Sequence, residues 1–222
     1  MSPIRRTRTP STPIYRVGRL PDPLAWPPRE VIGGGRFDDP QGEFRVLYAS
    51  AQRRGAFVET LAGFRPSLAS LAELQRVAVG VERAQLANVP ADWYQKRAIA
   101  RLRLRPGQQW LDLRAAETRE TLRSELAVTL EALGLTDLDL RRVLGPRRRL
   151  TQAIARWSFD RGYSGLTYYS RLDASYSLWA IFEGATFEVV GGPDPIAVDD
   201  RDFVATAWLY GLVVRARVEG FR

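Results

Sequence analysis

Gly33-Gly34-Gly35-Arg36-Phe37 is the segment around which the other conspicuous residues of the chain are arranged. Glycine has no Cβ, so three glycines in a row let the backbone approach a ligand closely. The guanidinium of Arg36 adds a planar fork of donors that fits a phosphate or a carboxylate. The segment therefore predicts a loop that contacts an anionic ligand.

The residues after this segment predict a strand followed by a helix. Arg45-Val46-Leu47-Tyr48-Ala49 has the composition of a buried strand, and Ser50 is a candidate N-cap for a helix that begins near Ala51. One face of that helix is defined by small or apolar residues at helical spacing, namely Ala51, Gly55, Val58 and Ala62. Glu59 lies on the same face, so the spacing predicts an inward-facing carboxylate.

An inward-facing Glu59 has two interpretations. A carboxylate turned toward a core costs free energy unless it is paired with a cation or used in chemistry. A structural salt bridge between Glu59 and Arg36 would satisfy it, and for an isolated arginine–glutamate pair this is the more common outcome. The functional alternative is a carboxylate that faces a ligand. The residues alone leave both open.

The composition narrows the possible chemistry. At 222 residues, with 45% hydrophobic and 26% charged residues, the chain has the size and composition of one soluble globular domain. It has no cysteine and no histidine, which excludes disulfides, thiol nucleophiles, histidine triads and zinc sites built from these residues. Acid–base work must fall to carboxylates, hydroxyls, water or the substrate. No apolar run is long enough to span a membrane and no signal-peptide pattern is seen, so a cytoplasmic location is expected.

The formal net charge of +8 raises the question of a nucleic-acid partner. The basic charge is almost wholly arginine, scattered along the chain and often next to acidic residues, which is more typical of a solvated surface than of a phosphate-tracking face. The alternating Arg101, Arg103 and Arg105 are interpreted in the same way. Nucleic-acid binding is therefore not expected except through a partner, whereas the positive field would attract an anionic dinucleotide or an acidic protein.

The remaining patterns predict a single mixed α+β domain without an internal repeat. Residues 1–13 are rich in arginine and proline and are expected to form a disordered basic tail. Residues 38–42, which begin with Asp38 and Asp39, are expected to form a solvated turn. Strands are predicted at Ile14–Val17, Leu74–Val81, Ala100–Leu104, Trp110–Leu113, Tyr163–Ser170 and Leu178–Glu183. Helices are predicted at Thr118–Leu133, Thr151–Arg161 and Asp202–Tyr210.

Five blocks of residues stand out when they are taken together. They are Tyr15-Arg16, Gly34-Gly35-Arg36-Phe37-Asp38, Tyr48-Ala49-Ser50, Ala56-Phe57-Val58-Glu59-Thr60 and Tyr168-Tyr169-Ser170-Arg171. In this order they resemble the RES domain family, which is named for an arginine, a glutamate and a serine. The resemblance covers about Ile14 to Gly184. Phe37 departs from the commoner family pattern, which has tryptophan there, and the interval from Glu59 to Ser170 is longer than in compact members.

The resemblance implies a β core like that of ADP-ribosyltransferases with flanking helices, formed by residues 14–222, and a toxin that destroys cellular NAD. It implies the catalytic residues Glu59, Arg36 and Ser170, and NAD binding by Arg16, Arg36, Tyr48 and Ser170. It also implies a cognate antitoxin of the Xre type, no metal and no cofactor, and water or inorganic phosphate as the acceptor. A homo-oligomer is compatible with it.

The chemistry of NAD suits such a set of residues. Cleavage of the bond between nicotinamide and ribose passes through an oxocarbenium-like state, and nicotinamide leaves as a neutral molecule without a general acid. Such a reaction needs an anchor for the phosphates and a negative charge near the developing cation. Arg36 with Arg16 could be the anchor, and Glu59 the negative charge. Tyr48 could pack against the nicotinamide or the ribose, and Ser170 could hydrogen-bond a phosphate or the ribose.

Each of these residues also has an ordinary explanation. Arg16 could neutralise a carboxylate, Tyr48 could be a core tyrosine with a satisfied hydroxyl, and Ser170 could be a plain strand-end serine. Two other functions stay open beside NAD degradation. One is an ADP-ribosyltransferase that modifies a macromolecule, and the other is a non-catalytic module that binds a nucleotide or a protein.

Overall fold

The computed structural model describes residues 4–77 and 87–215, and the architecture concerns that part of the chain. Its strands are β1 (Arg6–Thr7), β2 (Ile14–Arg19), β3 (Val46–Ser50), β4 (Ala87–Val89), β5 (Arg97–Leu104), β6 (Trp110–Asp112), β7 (Gly165–Tyr169), β8 (Ser177–Phe182), β9 (Phe187–Val189), β10 (Asp194–Pro195) and β11 (Leu212–Val214). Nine of them form one mixed sheet in the order β1-β6-β7-β8-β3-β2-β5-β10, with β9 also paired to β5. Strands β4 and β11 form a separate parallel pair.

The helices of the described chain lie around this sheet. They are α1 (Arg53–Leu61), α2 (Leu68–Val77), α3 (Ala91–Gln95), α4 (Ala116–Glu125), α5 (Ala127–Ala132), α6 (Leu140–Leu144), α7 (Arg148–Asp160) and α8 (Arg201–Leu209). Short 3-10 turns occur at Arg29–Val31 and Ala62–Phe64. None of the helices within the described ranges is long and apolar enough to cross a membrane.

The central strands β3 and β8 are buried along nearly their whole length, because both faces of the sheet are covered. Alternate residues enter different clusters: Val46 and Phe182 pack with apolar residues of α4 to α7, whereas Leu47 and Ile181 pack near Trp110. A third cluster joins α1 and α8 to β2 and β5. Side chains of a strand point alternately to the two faces of the sheet, so each face supplies apolar residues that pack against the elements covering it.

The sheet is split between β2 and β3. These strands share one residue pair, Tyr15 with Ser50, and beyond it β2 runs along β5 while β3 runs along β8. The carbonyl of Tyr48 lies on the open edge, where it accepts a hydrogen bond from the Arg16 guanidinium at 2.9 Å. The split leaves room for a cavity in the middle of the sheet.

The mixed α+β single domain predicted from the sequence is confirmed. The predicted strands that correspond to β2, β3, β5, β6, β7 and β8 are present, and so are the helices α7 and α8. Their hydrophobic patterns are strong because these elements pack directly on the core.

The prediction of a disordered tail is wrong for the part of residues 1–13 that the structure describes. Arg6–Thr7 pairs antiparallel with Trp110 and Leu111 of β6. The backbone N–H of Arg5 donates to the Thr118 hydroxyl at 3.2 Å, and Ile4 packs against the largest core cluster. The physical reason is the free edge of β6, which offers main-chain partners that a local reading of a polar, proline-rich segment does not reveal.

Three further boundaries differ from the prediction. The strand expected at Leu74–Val81 is wrong in its first half, since α2 continues to Val77, and residues 78–81 lie outside the described residues. The helix expected at Thr118–Leu133 is divided at Leu126 into α4 and α5. Helix α1 begins at Arg53, because Ser50 belongs to β3 and its hydroxyl accepts from the N–H of Gln52 at 3.2 Å.

Candidate active site

A cavity of about 1170 Å³ opens at the split between β2 and β3. All five sequence blocks that stood out contribute to its wall. The lining includes Tyr15 and Arg16 of β2, Gly34 to Arg36, Tyr48 of β3, Glu59 of α1, and Tyr168 and Arg171 at the end of β7. Pro146 and Arg148, at the start of α7, complete the wall near the glycines. The cavity therefore collects residues that are distant in sequence.

The glycine loop (residues 33–38) is held by hydrogen bonds on both sides. The Asp38 carboxylate accepts from the backbone N–H of Gly33 at 3.1 Å and of Gly35 at 2.6 Å. On the other side the Gln152 amide of α7 donates to the carbonyls of Gly33 at 3.0 Å and Gly35 at 3.2 Å. The neighbouring Thr151 hydroxyl donates to the carbonyl of Arg36. Side chains of Asp38 and α7 therefore hold the loop from both sides.

Asp38 and Asp39 overturn the prediction of a solvated turn. Their exposed fractions are 9% and 1%. Buried carboxylates require donors, and the adjacent backbone supplies them, since Asp39 accepts from the N–H of Glu43 at 2.8 Å. A Cβ at Gly35 would overlap the Asp38 carboxylate and the Tyr48 hydroxyl. Glycine at position 35 therefore makes room for this internal contact.

The hydroxyl of Tyr48 belongs to the same network. It donates to Asp38 Oδ1 at 2.7 Å and accepts from the N–H of Phe37 at 2.9 Å. Burial, followed by the charge of Asp38, raises the pKa of Tyr48, so the hydroxyl stays protonated and continues to donate. The hydroxyl is thus satisfied as in a core tyrosine, while the residue also lines the cavity.

Arg36 lies at the cavity, but much of its guanidinium is used within the protein. Nη2 donates to the carbonyl of Val143 at 2.6 Å, and Nη1 and Nη2 donate to the carbonyl of Gly145 at 3.0 and 3.1 Å. The salt bridge between Glu59 and Arg36 considered from the sequence is not formed in the described structure, where Glu59 has another partner. The fork predicted for a phosphate instead holds the turn between α6 and α7.

Arg16 has one engaged edge and one free nitrogen. Nε donates to the carbonyl of Pro23 at 3.0 Å and Nη1 to that of Tyr48 at 2.9 Å. Within residues 4–77 and 87–215, Nη2 has no partner and no carboxylate pairs with this side chain. Burial lowers the pKa of Arg16. A partly desolvated cation with a free donor suits an anionic or hydroxyl ligand.

The structure brings Glu59 and Ser170 into direct contact. The Ser170 hydroxyl donates to Glu59 Oε1 at 2.6 Å and accepts from the backbone N–H of Leu172 at 3.0 Å and of Asp173 at 3.3 Å. Ser170 is 1% exposed, whereas Glu59 is exposed and lines the cavity. Ser170 therefore orients the carboxylate from behind the wall.

The Glu59 carboxylate combines solvent access with a protein environment. Glu59 is exposed and lines the cavity, where protein atoms replace part of its water. This partial removal from water raises the pKa of Glu59, and the hydrogen bond from Ser170 and the positive charges of Arg171 and Arg36 oppose the rise. The inward-facing carboxylate predicted from helical spacing is thus turned to a cavity and not to the core. There it can act on a developing positive charge at short range.

Tyr168 is a wall residue to which the sequence assigned no role of its own. Its ring packs on Phe37 with 4.6 Å between ring centroids. In the described part of the chain its hydroxyl makes no hydrogen bond, although it is close enough to Glu59 and Arg36 to feel their charges. Burial and the charge of Glu59 raise the pKa of Tyr168. A protonated, unpaired hydroxyl beside Glu59 is available to a ligand.

Five more residues of the site were assigned no functional role from the sequence. Arg171 and Tyr168 stood in the block around Ser170, so that block held a signal for them. Asp38 was quoted in a block but assigned to a turn. Gln152 gave no signal, because it lies in an ordinary helical pattern 119 positions from Gly33, to whose carbonyl it donates. Arg148 belongs to the run of three arginines at 147–149, to which no role in a site was assigned.

Comparison with known proteins agrees with the sequence blocks. A family model described as the RES domain matches residues 13–206. Among solved structures, a chain of the crystal structure of the M. tuberculosis MbcT–MbcA toxin–antitoxin complex is similar, with a TM-score of 0.54, 15% sequence identity, and coverage of 84% of this chain and 85% of that chain. At this identity the likeness concerns the fold. A search of curated proteins found no match.

Proposed function

This chain belongs to the RES domain family, and from that premise we propose that it cleaves the bond between nicotinamide and ribose in NAD, as the toxin of a toxin–antitoxin pair. One observation carries the proposal. The Glu59 carboxylate is exposed in a large cavity and is held at 2.6 Å by a buried serine. A fixed carboxylate next to aromatic and basic side chains is what a ribosyl cation and an anionic dinucleotide require.

Glu59 would act by stabilising positive charge. When the bond between C1′ and the nicotinamide nitrogen breaks, its electron pair goes to nicotinamide, whose ring becomes neutral, and the ribose becomes oxocarbenium-like. The partly desolvated carboxylate of Glu59 strengthens the attraction to that charge, since its surroundings screen it less than water would. Ser170 contributes by fixing which way the carboxylate faces.

The other wall residues would position the substrate. Nη2 of Arg16 and the hydroxyl of Tyr168 are free donors, suited to hydroxyls of the ribose. Tyr48, held by Asp38, offers a rigid aromatic surface for the nicotinamide or the ribose. Arg36 would act mainly by holding the turn before α7 in place.

The acceptor completes the reaction at C1′. Water or inorganic phosphate forms the new bond through oxygen as nicotinamide leaves, giving ADP-ribose or its 1-phosphate. With water, the released proton passes to Glu59 or directly to solvent, which balances the charge lost from the pyridinium. No metal and no cofactor take part in the proposed steps.

An antitoxin partner follows from two sources of support. The family implies one, and the structural neighbour is, by its title, part of a toxin–antitoxin complex. The net charge of +8 favours an acidic segment of that partner. An antitoxin of the Xre type is proposed from the family alone.

The decisive experiment incubates the purified chain with NAD, with and without inorganic phosphate, and follows products by NMR. We expect free nicotinamide in the absence of any macromolecular acceptor, and unchanged rates after treatment with EDTA. Asp199, which is exposed and unpaired among the described residues, gives the control Asp199→Asn with the same loss of one carboxylate as Glu59→Gln.

Three results would contradict the proposal. Intact NAD after long incubation at high enzyme concentration would favour a non-catalytic module. Nicotinamide release that requires added protein or nucleic acid would favour a transferase. Activity lost with EDTA and restored by a divalent ion would overturn the metal-free mechanism.

A further inference from the structure

Six arginines line the cavity, and they differ in what their guanidinium groups do. They are Arg16, Arg19, Arg36, Arg97, Arg148 and Arg171. Three of them donate to backbone carbonyls: Arg16 to Pro23 and Tyr48, Arg36 to Val143 and Gly145, and Arg97 to Trp93. The guanidinium groups of Arg19, Arg148 and Arg171 are exposed and have no hydrogen bond or ion pair within the described residues. Only Arg19, Arg148 and Arg171 therefore have all their guanidinium donors available to a ligand.

Arg171 lies beside Glu59. It follows Ser170 in the chain, and the Ser170 hydroxyl is 2.6 Å from Glu59 Oε1. Its positive charge acts on Glu59 and also on Arg36. A free cation is thus present next to the carboxylate on which the proposed chemistry depends.

Arg148 lies on the neighbouring part of the wall. It is the first residue of α7, and it follows the turn whose Gly145 carbonyl accepts from Arg36 at 3.0 Å. Pro146 of that turn lines the cavity as well. Arg36 therefore holds the turn that precedes Arg148, while the guanidinium donors of Arg148 stay free.

The geometry of a dinucleotide selects between the free arginines. C1′ of the nicotinamide ribose and the 5′-phosphate belong to the same sugar, so the pyrophosphate must bind within about one ribose of the bond that breaks. Arg171 is next to Glu59, and Arg148 adjoins the same wall through the Arg36 contact. Arg19 lies on β2 beside Arg97, on the other side of the split. Burial, followed by the charge of Arg19, lowers the pKa of Arg97.

Resting on the proposed function, we propose that Arg171 and Arg148 are the residues that bind the pyrophosphate of the dinucleotide substrate, and that the guanidinium of Arg36 is not the phosphate anchor. A phosphate that used the end of Arg36 would have to displace two carbonyls that are already bound. A phosphate that binds Arg171 and Arg148 displaces water alone. Charge-assisted bonds of this kind contribute to binding of every substrate that carries the pyrophosphate.

Substrates that differ in phosphate content provide the test. Arg171→Gln and Arg148→Gln are compared with wild type for cleavage of NAD and of nicotinamide riboside, which has the same scissile bond and no phosphate. Arg149→Gln is the matched control, because Arg149 is exposed, adjoins Arg148 and is absent from the cavity wall. All three side chains lack structural partners among the described residues, so the variants are expected to fold.

We expect KM for NAD to rise about tenfold or more in each of the two cavity variants, as loss of one charge-assisted contact predicts. For nicotinamide riboside, which has no phosphate contact to lose, the rise in KM should be much smaller than for NAD, and Arg149→Gln should match wild type. An unchanged KM for NAD, or an equal effect on both substrates, would overturn the assignment.

Binding of ADP, measured by calorimetry, separates this inference from the proposed function. Affinity for ADP that falls in Arg171→Gln and Arg148→Gln, but not in Arg149→Gln, supports the pyrophosphate site even if NAD is not cleaved. NAD cleavage combined with ADP affinity that is the same in all four proteins would leave the function standing and overturn the site.

Discussion

The two walls of the cavity that flank its centre use their polar groups in opposite ways. In the glycine wall (residues 33–38), Asp38, Gln152 and Thr151 bind the main chain of the loop, and Tyr48 and Arg36 are bonded to other protein atoms. In the strand-end wall (Glu59 and Arg171, with Ser170 buried behind Glu59), the serine donates to the glutamate, and the arginine has no hydrogen bond or ion pair in the described chain. The glycine motif, which is the more conspicuous in the sequence, therefore forms the structure of the site. The strand-end wall keeps hydrogen-bonding groups free for a ligand.

The largest expected effect belongs to the strand-end wall. Glu59→Gln keeps the shape and an acceptor for Ser170 but removes the charge, so we expect turnover of NAD to fall by about 10²–10³. The thermal midpoint should change little, because Glu59 is exposed and has no ion pair to lose in the described structure. Turnover and thermal melts are measured on the same preparations, with Asp199→Asn as the control.

Two results would contradict the catalytic role of Glu59. An active Glu59→Gln enzyme would show that the charge has no catalytic role. A fall in unfolding free energy of about 3–5 kcal/mol, the size expected when a buried ion pair is broken, would show that Glu59 is structural.

An intermediate effect is expected in the glycine wall, where two adjacent glycines form a matched pair. Gly35→Ala places a Cβ against the Asp38 carboxylate and the Tyr48 hydroxyl, whereas Gly34→Ala meets nothing within 4 Å. We expect Gly35→Ala to lose about 1–3 kcal/mol of unfolding free energy and Gly34→Ala to stay within about 0.5 kcal/mol of wild type. Denaturant melts decide it. Equal midpoints for the two variants would show that the wall is not packed as described.

The smallest effect is expected for Ser170, whose role is to position Glu59 and not to take part in the chemistry. Ser170→Ala removes the donor to Glu59 and should slow turnover about two- to tenfold, the size of one ordinary hydrogen bond. The Ser170 bond lowers the pKa of Glu59 against the opposing effect of burial, so its loss raises that pKa. More Glu59 is then protonated at a given pH, and the acid limb of the turnover profile should move to higher pH. A profile that keeps its position, or moves to lower pH, would contradict this role.

Elements that pack on the core could be predicted from the sequence, because their apolar residues recur at the period of a strand or a helix. The alternation in β5 and the leucines of α4 and α5 are examples, and the leucines at 122, 126 and 130 are buried as their spacing requires. The break at Leu126 could not be predicted, since the same leucine pattern suits one helix or two. The valines of 77–81 suggested a strand, but α2 extends to Val77, so helical context overrode β propensity at that position.

The candidate site could be predicted as a set of residues but not as a set of contacts. Arg16, Arg36, Tyr48 and Glu59 all line one cavity, as their joint pattern suggested, and Ser170 lies directly behind Glu59. What each side chain binds was not accessible, because the partners are far away in sequence: Gln152 bonds Gly33 across 119 positions, and Arg36 bonds Gly145 across 109. A local pattern carries no information on such pairs.

The outer strands of the sheet have a consequence for how another protein can attach. At one end lies β1, with two residues, and at the other β5 is covered by the short strands β9 and β10, the last of which contains Pro195, a residue without an N–H. Such borders offer little main chain for a visiting strand in the described part of the molecule, so strand addition is a poor route of attachment. A partner must instead recognise side chains, at the mouth of the cavity or on the helices. The selectivity of such a partner would then depend on its own sequence, so related RES domains could each bind a different partner.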